Sequence, residues 1–160
     1  MLQGQFDHIQ INVTNLGKSE KFYENMLGWL GYQKIIDTSG TKDRGIAQWR
    51  RGRSRLILVQ CRKEFLRHGF HRKRVGINHI SFWAPTRQVV DRFYREVLLP
   101  KRTKILYGGP KEYPEYVSGY YAVYFEDPDG IKFELLTDPS MNIKRKGRKL
   151  RLAGRKLLEK

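Results

Sequence analysis

Two histidines and one glutamate stand where a metal ion could be held. Asp7-His8-Ile9 recurs as Asn78-His79-Ile80, and Phe22-Tyr23 recurs as Phe93-Tyr94, both at an offset of 71 residues. A constant offset marks two copies of one supersecondary unit, so each copy carries a histidine at the same place on its first strand. Glu134 stands within Ile131-Lys132-Phe133-Glu134-Leu135-Leu136. Phe133 and Leu135 share the apolar face of that strand, which sends Glu134 to the opposite face. An unpaired carboxylate there is costly to bury, and a divalent cation removes the cost. His8, His79 and Glu134 together offer two neutral nitrogens and one anionic oxygen. Such a set binds a first-row metal and leaves coordination positions open for water or substrate. Zn, Ni, Co, Mn and Fe are all compatible with it. A single strand histidine is more often an ordinary hydrogen-bonded side chain; the duplication is what favours ligation.

Each copy reads as β-α-β-β-β. Residues 6–13 alternate with period two, Ile9, Ile11 and Val13 on one face and His8, Gln10 and Asn12 on the other. Lys18 to Leu27 reads as a helix ended by Gly28, with strands near Tyr32–Ile36, Gly45–Trp49 and Arg55–Gln60, and turns around Gly40 and Gly52. In the second copy, residues 76–83 set Ile77, Ile80 and Phe82 on the apolar side and His79 with Ser81 on the polar side. Arg87 to Leu98 supplies the helix. Strands near Thr103–Leu106, Tyr120–Glu126 and Ile131–Thr137 follow, the last two joined by Asp127-Pro128-Asp129-Gly130, a strong hairpin turn. The expected fold is α+β: paired βαβββ modules (1–61 and 76–139) forming an open, cup-shaped sheet with helices outside. A basic connector (62–75) joins the modules, and a basic extension (140–160) with helical spacing follows.

The net charge of +16 is unevenly placed: from Lys144 to Lys160 there are nine Lys or Arg and one acid, Glu159. Leu150, Ala153, Leu157 and Leu158 would line one side of a helix there. Such a tail suits a solvated extension that docks on the domain or a second subunit, with weak, salt-screened polyanion binding as the alternative. Cys61 is the single cysteine, so an internal disulfide is excluded and a reducing compartment is expected. No apolar run nears the length of a membrane span. The chain reads as cytoplasmic.

The run Tyr120-Tyr121-Ala122-Val123-Tyr124-Phe125-Glu126-Asp127-Pro128-Asp129-Gly130-Ile131-Lys132-Phe133-Glu134-Leu135, with His8 and His79 on matching strands, resembles the vicinal oxygen chelate superfamily. That group includes glyoxalase I, extradiol dioxygenases, fosfomycin-modifying enzymes and bleomycin-sequestering proteins. The resemblance covers roughly residues 5–138 and is strongest to the uncharacterised bacterial glyoxalase-like branch. It implies that His8, His79 and Glu134 are metal ligands on a divalent metal, with Glu134 either a ligand alone or also a proton shuttle, and that the chain is a homodimer. In glyoxalase I a fourth ligand lies on the last strand of the first copy; here that position reads as Ile57, or as Gln60 if the register slips.

The expected function is therefore a glyoxalase-like metalloenzyme of lyase or isomerase type, holding a small substrate through two adjacent oxygens. Alternatives are a non-catalytic drug-binding protein of the resistance type and an extradiol-type dioxygenase. Gln10 and Ser81, on the histidine faces, are candidates to orient substrate oxygens. Tyr121, in the cluster Tyr113, Tyr116, Tyr120 and Tyr121, is a further substrate contact, although core or dimer packing would equally account for that cluster. His68 and His71 lie in the connector and are not expected in the pocket. Cys61 has no pattern for a nucleophile around it.

Overall fold

The computed structural model describes residues 6–35 and 45–138. The expectations for Ile36, for the turn at Gly40 and for the extension over 140–160 lie outside the described residues. The first copy contains β1 (His8–Val13), α1 (Leu16–Trp29), β2 (Gln33–Ile35), β3 (Ile46–Arg51) and β4 (Ser54–Gln60). The connector holds a 3-10 turn, Lys63–His68. The second copy contains β5 (His79–Trp83), α2 (Arg87–Phe93), β6 (Ile105–Glu112), β7 (Tyr121–Glu126) and β8 (Lys132–Thr137). This is the expected α+β architecture.

Each copy makes one four-stranded mixed sheet, in the orders β1-β4-β3-β2 and β5-β8-β7-β6. β1 runs parallel to β4 and β5 parallel to β8; the remaining pairs are antiparallel. The histidine-bearing strands are thus sheet edges in both copies. Asn15 caps α1 by accepting from Lys18 N–H at 2.9 Å, and Thr86 caps α2 through Val89 N–H. Gly130 closes the β7–β8 hairpin at φ +83°, a conformation open to glycine without strain.

Alternation decides what enters the core. Ile11 and Val13 of β1, Leu56 and Leu58 of β4, and Ala47 and Trp49 of β3 are buried on one face of the first sheet. Ile80, Val123, Phe125, Phe133 and Leu135 are buried on one face of the second. These two faces share a single core with both helices. Tyr23 of α1 stacks on Trp49 and meets Phe133 edge-on, at ring separations of 6.2 and 5.7 Å, and Trp29 meets Phe93 at 5.2 Å.

Three elements differ from their sequence expectation. Ile77 lies ahead of β5 and is exposed, because the strand begins only at His79. β6 extends beyond Leu106 to Glu112: Tyr107, Gly108 and Gly109 take positive φ and absorb a bulge, after which pairing with β7 resumes at Lys111. The helix starting at Arg87 widens at Tyr94–Leu98 into a π-turn, which buries Val97 and Leu98 side by side.

Candidate metal centre

The outward face of the second sheet brings His79 and Glu134 together. Ser81 pairs with Glu134 across the β5–β8 ladder, and Glu134 pairs with Tyr124 across β7–β8. The His79 Nε2 atom lies 3.4 Å from Glu134 Oε2. On its other side, Glu134 accepts a 2.6 Å hydrogen bond from Tyr120 OH at Oε1. Only 1 % of Glu134 is exposed, so its carboxylate sits in protein rather than water. Burial first, then the bond to Glu134, raise the Tyr120 and Tyr124 hydroxyls above their ordinary range, which keeps both as neutral donors. Among the described residues no Lys or Arg pairs with Glu134. A buried anion flanked by an imidazole and phenols is the environment that a cation would neutralise.

Each histidine ring is oriented by the residue before it. Asn78 Oδ1 lies 2.9 Å from His79 Nδ1, and Asp7 Oδ2 lies 2.8 Å from His8 Nδ1. With Nδ1 as the donor, the lone pair sits on Nε2, the tautomer a metal ligand requires. Asp7 also pairs with Arg55. These two bonds, to His8 first and to Arg55, hold the Asp7 carboxyl below its usual range.

His8 does not join His79 and Glu134 within one chain. The apolar faces of both sheets enter one core. Among the described residues no three His, Cys, Asp or Glu side chains converge. Within one copy of the chain His79 and Glu134 meet, and His8 stands apart from them.

The register also settles the fourth position. Gln10 pairs with Ile57 as Ser81 pairs with Glu134, so Ile57 is the structural counterpart of Glu134. Gln60 is committed elsewhere, accepting from Leu16 N–H and donating to Thr14 O, each at 2.9 Å.

Gln10 and Ser81 stand exposed on the histidine faces. Tyr121 does not belong with them. It alternates with Ala122 and Tyr124 and so faces α2, where its hydroxyl donates to Asp91 at 2.7 Å and Arg87 covers its ring. Burial, with Asp91 adding to it, raises its hydroxyl to about 12. Tyr113, Tyr116, Tyr120 and Tyr124, with Tyr107, do form one aromatic wall beside Glu134. Tyr124 and Tyr107 were not singled out in the sequence, although period-two alternation back from Glu126 places Tyr124 on the Glu134 side. His71 lines a separate cavity of about 370 Å³ with Gln10, Asn12, Ile77 and Ile80, along the β1 edge and away from Glu134.

A family profile described as the Glyoxalase/Bleomycin resistance protein/Dioxygenase superfamily matches residues 5–135. The uncharacterised protein YqjT of Bacillus subtilis (strain 168) is 37% identical over 129 residues, covering 81% of this chain and 95% of that protein. The crystal structure of a glyoxalase candidate from Bacillus halodurans superposes with a TM-score of 0.71 at 34% identity, covering 85% of this chain and 97% of the other. The fosfomycin resistance protein FosX of Listeria monocytogenes shares the fold, with a TM-score of 0.60 at 19% identity over 86% of this chain and 95% of its own. Among the described residues no helix is long and apolar enough to cross a membrane. The duplicated βαβββ plan and these matches place the chain in the glyoxalase/bleomycin resistance protein/dioxygenase superfamily.

Proposed function

We propose that the protein is a cytoplasmic, metal-dependent enzyme of the lyase or isomerase type, acting on a small molecule that presents two adjacent oxygens. His79 and Glu134 of one copy, with His8 of a second copy, would hold a divalent first-row metal. The observation that carries this reading is the Glu134 carboxylate, buried beside an imidazole whose Nδ1 is tied to Asn78. The edge position of β1 and β5 supports the two-copy arrangement, since an edge strand has backbone groups that another chain can pair. A two-fold dimer that sets β1 of one copy beside β5 of the other would make two identical sites.

A metal bound there supplies Lewis acidity toward the two substrate oxygens. The chain's own residues do the rest. Glu134 takes a proton from the substrate and returns it at a neighbouring atom. Tyr120 holds Oε1 by its hydrogen bond and fixes the carboxylate rotamer. Gln10 and Ser81 orient the substrate oxygens, and Ile57 keeps the fourth position apolar. In the aromatic wall the buried rings of Tyr113 and Tyr124, with Tyr120 beside them, exclude water from the far side. That wall also favours a second reading, a non-catalytic cup for an aromatic ligand. The basic residues beyond 143 would attract polyanions weakly.

Complementation tests the proposal. His8→Ala and His79→Ala each remove a ligand from both sites of a dimer. Mixing the two, with subunit exchange, makes heterodimers in which one site lacks both histidines and the other is intact. Neither variant alone should hold metal; in an equal mixture, about half of the dimers should regain one site. No recovery on mixing would place all three ligands within one chain, or remove the site altogether.

A further inference from the structure

The two modules have diverged row by row on their polar faces. Beside His8, across the first sheet, stand Arg55, Arg50 and Gln33. The matching row of the second sheet is His79, Lys132 and Glu126, with Lys104 beyond. Glu126 is buried and pairs with Arg72 at 2.9 Å and Lys104 at 2.7 Å, so that row contains its own anion. The next rows differ in the same sense: Gln10, Ile57, Gln48 and Ile35 against Ser81, Glu134, Tyr124 and Leu106. The second module holds the carboxylates and phenols, while the first holds guanidiniums and carboxamides.

The first row has unspent positive charge. Asp7 is occupied by Arg55 and His8. Among the described residues neither Arg50 nor Arg53 has a carboxylate partner. Arg50 Nε donates to Gly52 O at 2.8 Å, which pins the side chain at the β3–β4 hairpin and leaves its terminal N–H groups for a ligand. A cavity of about 410 Å³ opens beside them, lined by Asp7, Ile35, Gln48, Arg50, Arg53 and Arg55. Guanidinium groups present a planar fork of donors that matches the oxygens of a carboxylate or phosphoryl group.

We propose that this cavity is an oxyanion subsite, in which Arg50 and Arg53, with Gln48, bind an anionic group at the distal end of the substrate. The assignment of that anion to the substrate rests on the function proposed above; the subsite itself does not need the metal. Arg50 is two strands from His8, about 10 Å across the sheet, a span suited to a small molecule chelated at one end and anchored at the other. The substrate class is then an anionic small molecule, a carboxylate or a phosphoryl compound, with the adjacent-oxygen pair at its other end.

The test titrates the full-length protein calorimetrically, at constant ionic strength, with methylphosphonate and with acetate. At least one probe should bind, and the probe that does identifies a phosphoryl or a carboxylate preference. The Arg50→Gln, Arg53→Gln double variant should weaken binding about tenfold or more, while keeping the wild-type thermal unfolding curve. Arg95→Gln, an exposed change on the helix side, should leave binding unaltered, and so should His79→Ala. No binding of either probe, equal binding in the double variant, or equal weakening in Arg95→Gln overturns the subsite. Binding lost in His79→Ala but retained in the double variant assigns the anion to the metal and overturns it also. Protein that binds the probe through the arginines but takes up no added divalent metal would sink the metal reading alone.

Discussion

Asn78 and Asp7 each hold a histidine ring by Nδ1 and so decide which nitrogen carries the lone pair. Removing such an orienting partner from a ligating histidine costs roughly 10–100-fold in metal affinity. Asn78→Ala should therefore weaken metal binding by that factor, measured by competition with a chelating dye, with little change in thermal unfolding because Asn78 is exposed. Unchanged affinity would mean that Nε2 of His79 is not a ligand. At this scale much was legible in the sequence. The offset and period-two alternation put His79 and Glu134 on one face, where they meet, while His8 stands apart, and the register makes Ile57 the counterpart of Glu134. The run of neighbouring tyrosines masks the place of Tyr121, whose alternation with Phe125 puts it on the helix side. Tyr120 lies in an irregular segment, where no periodicity says what a side chain meets. Arg50 and Arg53 carry no motif and become a pair only through the β3–β4 hairpin.

The β7–β8 hairpin does more than set the register of Glu134. Asp127 is buried, accepts N–H bonds from Asp129 and Ile131 at 2.9 and 2.8 Å, and accepts the Tyr23 hydroxyl of α1 at 2.7 Å. Thr14, just before α1, bonds Asp129 through both its N–H and its hydroxyl. The hairpin thereby ties the second sheet to the first module. Burial raises the Asp127 carboxyl to about 6, from 3.8, against the pull of Tyr23 and the two N–H groups. The folded state thus binds this proton more tightly than the unfolded chain. The resulting penalty is absent below pH 4, grows as pH rises through 6, and is fully present above it. Its size is about 3 kcal/mol at most. Asp127→Asn keeps an acceptor for the N–H groups and a donor toward Tyr23, and it has no charge to lose. The stability difference, variant minus wild type, should rise between pH 4.5 and 7.5, measured by denaturant unfolding at each pH; a flat difference would show that Asp127 stays charged at no cost. Nothing in the sequence marked this contact, because the partners are 104 positions apart. The Asp-Pro-Asp-Gly turn was readable from local chemistry alone. The bulge in β6 and the π-turn after Phe93 were not, since each is imposed by packing against a neighbouring element.

For the whole molecule, the decisive fact is that one core takes the apolar faces of both sheets, while His8 does not converge with His79 and Glu134 within one chain. Two half-sites and two open edge strands call for a second copy if His8 is to reach His79 and Glu134. The repeat announced the modules, but their relative placement depends on aromatic contacts such as Tyr23 with Phe133, which no local pattern encodes. Shared ligation makes a thermodynamic link: a metal that binds only where two chains meet must strengthen their association by the free energy of its binding. With free metal at one hundred times its dissociation constant, each site adds about 2.7 kcal/mol to the dimer, and two sites add about 5.4. The dimer dissociation constant should then fall by about four orders of magnitude on metal loading. Sedimentation equilibrium at low micromolar protein, with and without chelator, reads this directly. Metal-loaded protein should remain dimeric where the chelated protein dissociates, and His8→Ala should behave as the chelated protein does in either condition. An association constant indifferent to metal would mean that the metal, if held, is held by one chain, and that β1 and β5 meet some other partner at their open edges.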